Sequence, residues 1–146
     1  MKIYAWVENQ QLFTTEDKNL APSKAIEFEV ENTNDIVYDG SQIRLKTQDE
    51  KLQELKAQKL LELKTYVASL LAQNDYIITK IAEAQIQNDT AKVEALKQQY
   101  STQLQQREAI RAWNEQMKQS INNAKSLDEL LNLEIKFKEP TNAKTT

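Results

Sequence analysis

The stretch QNDYIITKIAEAQIQNDTAKVEALKQQY, residues 73–100, decides how this chain folds. Two polar breaks, Gln73-Asn74-Asp75 and Gln87-Asn88-Asp89, interrupt a sequence otherwise built of Leu, Lys, Glu, Gln and Ala at helical spacing. Between them, Ile77, Ile78, Ile81 and Ala82 belong to a helix from Tyr76 to about Ile86, capped by Asp75 or Asn74. Beyond the second break, Asp89 or Thr90 caps a long helix reaching about Asn122. Its stripe of Val93, Leu96, Tyr100, Leu104, Ile110, Met117 and Ile121 drifts round the wheel as a repeat nearer 3.5 than 3.6, the sense of a left-handed supercoil.

Upstream of the first break, Thr47 and Glu50 form a capping box that opens another helix. Leu52, Leu55, Leu60, Leu63, Tyr66, Val67 and Leu70 line its apolar stripe. The arms on either side of Gln87-Asn88-Asp89 then match, at roughly 54 Å and roughly 50 Å. A compact globule of this length would be only about 38 Å across. An antiparallel hairpin with its tip at Gln87-Asn88-Asp89 follows, with Ile81 near Leu96, Ile78 near Tyr100 and Leu63 near Met117.

Before Thr47 the pattern changes to period two. Ile3, Ala5 and Val7 share one strand face, and Tyr4 and Trp6 the other. Ile26, Phe28 and Val30 alternate with Glu27, Glu29 and Glu31, as in a strand with one wet face. Asp39-Gly40 predicts a two-residue hairpin turn, with Tyr38 opposite Ser41 and Ile36 opposite Ile43. A sheet this small needs a cover, for which the following helix is the candidate. At the other end Ser126 and Glu129 form a second capping box, opening a short helix through Leu127, Leu130 and Leu131. Glu134 to Lys138 alternates like a short strand, and the tail after Pro140 is small and polar.

The fold class expected is therefore α+β, mostly α. A small N-terminal antiparallel β element occupies 1–46. An elongated antiparallel helical hairpin, its first arm kinked, and a short C-terminal helix occupy 47–138. A disordered tail occupies 139–146.

Composition narrows the chemistry. The 146 residues include no Cys and no His, which removes the usual zinc sites, disulfides, thiol nucleophiles and His-based acid–base catalysis. One Gly and two Pro leave no glycine-rich phosphate loop. A net charge of −3 gives no global positive field for nucleic acid or anionic membranes, and no run approaches the roughly 20 apolar residues of a membrane helix. The start of the chain has no signal-peptide core, so a cytosolic protein is expected, with no cofactor and no metal. Glu27, Glu29 and Glu31 read as a wet sheet face that discourages edge pairing rather than as a cation site. Lys56, Lys59 and Lys64, interleaved with Glu54 and Glu62, read as intrahelical pairing, and Gln98 to Gln106 as a solvated helix face.

Four residues stand out as a candidate interface. Leu61 lies opposite the stripe of its helix, and Trp113 lies at the margin of the next stripe with Ala109 and Ala112. They are either a second apolar surface for a partner or sister subunit, or scattered surface residues.

The segments Asn74-Asp75-Tyr76-Ile77-Ile78-Thr79-Lys80-Ile81-Ala82-Glu83 and Gln106-Arg107-Glu108-Ala109-Ile110-Arg111-Ala112-Trp113-Asn114 resemble small tail-associated proteins of tailed bacteriophages, often described as tail-fibre assembly proteins or chaperones. Val37-Tyr38-Asp39-Gly40 matches the end of their β segment, and Ala124 to Leu130 the short helix that closes them, so the resemblance spans about residues 36 to 135. The better-known fibre chaperones carry more β-rich N-terminal domains than this chain. The resemblance implies that Asp75 caps the second helix, that Tyr76 packs at the kink and that Ile78, Ile81 and Ala82 fill the hairpin core. Arg107 falls on the buried side of its helix facing the kink, where it either pairs with Asp75 or the neighbours of Glu108 as a structural brace, or lies along the core with its head in water.

The function implied is non-catalytic: assistance to the folding, oligomerisation or attachment of a phage tail-fibre protein, through apolar helical and β-edge contacts. The alternative is a structural tail subunit that stays in the virion as a helical oligomer. Partners would be a tail-fibre or other tail protein and further copies of the chain, with no nucleic acid and no membrane. The place of work would be the host cytoplasm during assembly, or the virion tail.

Overall fold

A computed structural model describes residues 1–139 of the chain. The expected tail over 139–146 lies outside the described residues except for Glu139. The described elements are five strands, two short 3-10 turns and five α-helices in the order β-β-β-β-β-α-α-α-α-α. Two compact units meet at Lys51–Leu52.

In the first unit β1 (Lys2–Glu8) is central, flanked by β2 (Gln11–Thr15) and β3 (Ile26–Glu29), both antiparallel to it. The alternation in β1 behaves as its pattern predicts, with Ile3 and Ala5 fully buried. The strand β2 has no counterpart in the sequence reading. Its turn uses Asn9 and Gln10, both left-handed at φ 51° and 63°, the positions a type I′ turn reserves for Gly or Asn. With Gln in place of Gly, the turn carries no strong sequence mark.

The second hairpin pairs β4 (Ile36–Tyr38) with β5 (Ile43–Leu45). Its register corrects the expected one: Ile36 faces Leu45 and Tyr38 faces Ile43. The loop is four residues long because Asp39 Oδ1 accepts hydrogen bonds from the backbone N–H groups of both Ser41 and Gln42, at 2.9 Å each. Asp39 N–H in turn donates to the Gln42 carbonyl. Gly40 sits at φ +93°. A slip of two preserves the side-chain faces, so the pattern survives the wrong turn. The core of this unit is Ile3, Ala5, Val30 and Ile36, with Leu12, Phe28 and Ile43 packed on it. The two sheets thus cover one another, the service that the sequence assigns to the helix.

α1 (Gln48–Ala72) opens on the expected capping box: Glu50 N–H donates to Thr47 Oγ1 at 3.1 Å, and Thr47 N–H to Glu50 Oε1 at 3.2 Å. α2 (Asp75–Ile86) follows directly. Asn74 holds its N-cap position without a side-chain cap bond, and Asp75 is the first helical residue rather than the cap. The buried stripe of α2 is Ile77, Ile81 and Ala84, while Ile78 is 41% exposed. The implied core of Ile78, Ile81 and Ala82 is corrected accordingly, because the spacing 77, 81, 84 is the one that meets Val93 and Leu96.

The tip is a Schellman motif. Asn88 is left-handed at φ 58°, its N–H donates to the Gln85 carbonyl, and Asp89 N–H donates to the Ala84 carbonyl. Asp89 then caps the next helix through Lys92 N–H. One residue ends α2 and its neighbour starts α3.

The long return helix is bent. α3 (Thr90–Gln99) and α4 (Ser101–Asn123) are divided at Tyr100, whose φ −107° and ψ 23° leave the helical region. Helical hydrogen bonds carry through, from Tyr100 N–H to Leu96 and from Leu104 N–H to Tyr100. Neither Gly nor Pro marks the place. The hairpin register holds elsewhere: Ile81 and Leu96 share one cluster, and Leu63 and Met117 another. Tyr100 meets Tyr76 edge to face at 5.9 Å.

α5 (Leu127–Leu131) begins at Ser126, whose hydroxyl accepts from Glu129 N–H, and buries Leu130 completely. The segment after it is not a strand. Leu133, Ile135 and Phe137 alternate as their pattern predicts, but they pack on the α1–α4 core and pair with no ladder. Apolar alternation asks only for one dry side, and a groove between helices supplies it as well as a sheet does.

Candidate functional site

The second unit is organised by the contact of α1 with α4, where Leu63, Val67, Ile110 and Ile121 are buried together. Two packed helices leave a groove along each side of their contact line. In this chain the two grooves differ.

One is filled by the segment Leu133–Glu139. Lys59 Nζ donates to the Leu133 carbonyl at 3.3 Å, and Phe137 N–H donates to the Tyr66 hydroxyl at 3.1 Å. Trp113 stands edge to face with both Tyr66 and Phe137, at 5.8 Å and 5.6 Å. Gln106 Nε2 donates to Glu139 Oε1. Trp113 is thereby engaged inside the chain. Of the other three candidate interface residues, Ala109 is half-buried, and Ala112 and Leu61 are exposed. Leu61, 65% exposed, lies on a surface made by one face of α1 alone, with Gln58, Glu62, Thr65, Tyr66 and Ser69. Tyr66 links this surface to Trp113, whose indole packs on its ring.

No described residue fills the second groove. Leu60, Val67 and Leu71 of α1 form its floor, with Ala68 at the margin. Lys64 of α1 stands on its rim, as do Asn114, Lys118 and Asn122 of α4.

Arg107 joins the two arms at the first break. It is 5% exposed, and its Nη1 donates to the Leu71 carbonyl at 2.7 Å and to Asp75 Oδ1 at 3.1 Å. The Leu71 carbonyl is one of the last four of α1, which lack a partner within the helix. A guanidinium there meets the negative end of α1, and Asp75 sits at the positive start of α2. Both helix ends are thus matched in sign. The brace read from the sequence forms with Asp75. What the sequence does not disclose is the carbonyl, because a main-chain acceptor leaves no trace in residue types. Arg107 Nε is buried with no hydrogen-bond partner among the described residues.

Two further constellations escape the sequence reading. Lys80 Nζ lies 5.6 Å from the ring centres of both Tyr76 and Tyr100 and donates to the Tyr100 hydroxyl. The i, i+4 spacing of Tyr76 and Lys80 was its one available signal. In the first unit Arg44 bridges Asp39, at 3.2 Å, and Glu50, at 2.6 Å, tying the β4–β5 loop to the first turn of α1. Arg44 first, then the Thr47 N–H, holds the Glu50 carboxyl below its usual range. The Gln42 and Ser41 N–H groups, more than Arg44, do the same for Asp39.

Among the described residues no group of three or more acidic side chains is placed to hold a metal ion. No described helix is long and apolar enough to cross a membrane. No protein-family model, no curated protein and no solved structure matches this chain significantly.

Proposed function

We propose that this protein works by contact rather than by catalysis, as a tail-associated protein of a tailed bacteriophage that helps a tail-fibre protein to fold, oligomerise or attach. The observation that supports contact is the outer face of α1, where a solvent-facing Leu61 is set among Thr65, Ser69 and the ring of Tyr66. A leucine is rarely of interest alone, but one beside an aromatic ring on an exposed helix face is what a partner covers. The phage assignment is carried by the resemblance of residues 36 to 135. On this reading the chain acts in the host cytoplasm during assembly, as an oligomer of itself or with the fibre protein, and the open edges of β2 and β3 offer a second contact.

The proposal requires a tail-fibre reading frame beside the one that encodes this chain, and co-expression with that fibre protein tests it. The chain is expected to raise the yield of soluble fibre oligomer, and Leu61→Asp to abolish that gain. Equal yields with and without the chain overturn it. Mass spectrometry of purified particles separates the two phage roles: an assembly factor is absent, and a structural subunit is present at fixed copy number.

A further inference from the structure

We infer that the open groove between α1 and α4 is a docking site for an amphipathic helix with acidic flanks, supplied by another protein. The inference rests on the contact reading above only in assigning the chain to partner binding, and is independent of any phage origin.

Three observations carry it. The first is the groove on the other side of the same helix pair. There three apolar side chains at alternate positions are accepted onto the α1–α4 core, so a segment laid along this pair finds real packing. The second is what the open groove lacks. On the filled side the Tyr66 hydroxyl and the Lys59 ammonium satisfy main-chain groups of an extended segment. The floor of Leu60, Val67 and Leu71 itself offers no such group, and the ammonium and amide groups of Lys64, Lys118, Asn114 and Asn122 stand on the rim. A helix closes its own main-chain hydrogen bonds and asks of the floor only an apolar seat, which leaves the rim groups free to meet its side chains. The floor runs from Leu60 to Leu71, about 16 Å of helix, which suits three anchors at i, i+3 or i+4, and i+7.

The third is charge. The rim carries Lys64 and Lys118 and the amides of Asn114 and Asn122, with no carboxylate among the lining residues. Lys64 makes no ion pair among the described residues, and Lys118 shares only the exposed Glu115 at 3.2 Å. Two copies docked groove to groove would set these lysines against each other, so a second copy is disfavoured in this seat. Asp or Glu beside the apolar anchors of a foreign helix would meet both.

The test uses the full chain, labelled with 15N, and two synthetic peptides. Both carry Leu anchors at helical spacing; one is flanked by Glu and the other by Lys. The Glu peptide is expected to shift the amide signals of Asn114 and Asn122 and of the α1 residues that floor the groove, leaving Phe137 unmoved. Binding should weaken at least tenfold in 0.5 M salt. The double reversal Lys64→Glu with Lys118→Glu, both on the exposed rim, should exchange the preference to the Lys peptide. Absence of binding by either peptide overturns the inference. So do shifts centred on Phe137, an unchanged preference after the reversal, or a concentration-dependent dimer dissolved by Ala68→Arg, which would put a second copy in the groove. Loss of the co-expression effect described above, with the peptide result intact, removes the phage reading alone.

Discussion

Arg107 shows how much one side chain can hold when it faces main chain and side chain together. Its two bonds are unequal. The Leu71 carbonyl belongs to the end of a packed helix, while the Asp75 side chain is 62% exposed and screened by water. Arg107→Met, which keeps the stem and removes the guanidinium, is expected to cost about 2 kcal/mol. Asp75→Ala should cost less than half of that, as for a surface ion pair. Urea denaturation of both variants checks the order; equal losses would mean that the carboxylate, not the carbonyl, holds the arginine. The left-handed residues carry a prediction of opposite sign. Gln10 at φ 63° bears a steric cost that Gly does not. Gln10→Gly should stabilise the β unit by up to about 1 kcal/mol, seen as a raised melting temperature. This is also the place where the residue pattern was least informative. Asn9-Gln10 carries no Gly, and only the torsions reveal a tight turn with a strand beyond it.

At the scale of elements, what could be read depended on where the information lay. Both capping boxes, Thr47 with Glu50 and Ser126 with Glu129, are local chemistry and were legible to the residue. The bend at Tyr100 and the strandless path of Leu133–Phe137 depend on what lies across the hairpin, and no local pattern records that. The brace was half legible, since Arg107 and Asp75 are side chains and Leu71 contributes only a carbonyl. Of the candidate interface, Leu61 kept its exposure, while Trp113 was claimed by Phe137, 24 residues further along a chain that periodicity had placed elsewhere. Phe137→Ala should cost about 2 kcal/mol, because the ring is half-buried rather than fully enclosed. It should also change the emission of Trp113, read in a Trp6→Phe background; an unchanged spectrum would mean that the segment does not sit on the indole. The Arg44 network adds a pH dependence at the entrance to α1. A carboxyl held below its ordinary value adds stability above its unfolded pKa, and that stability is lost as pH falls through the folded value. Glu50→Gln should therefore lower the stability of the β unit at neutral pH. Wild type and variant should converge below the usual carboxylate range. A constant difference down to acid pH would place the effect of Glu50 elsewhere than in its charge.

For the whole molecule, the decisive fact is that buried residues fall into separate clusters, one in the β unit and two in the helical unit. Each unit carries one tryptophan, Trp6 stacked on Phe13 in the first and Trp113 in the second. Thermal unfolding followed by fluorescence in Trp6→Phe and Trp113→Phe variants is expected to give two different midpoints. Coincident midpoints, matched by calorimetry, would make the chain a single cooperative unit.

The groove-filling segment Leu133–Glu139 has a consequence for how this protein is made. Synthesis runs from the N-terminus, so both helical arms emerge from the ribosome before the residues that cover Tyr66 and Trp113. During that interval the indole faces water, and a neighbouring nascent chain presents the same bare slot. What directs each tail home is its tether: a short connection through α5 holds it at an effective concentration in the millimolar range, far above that of any rival copy.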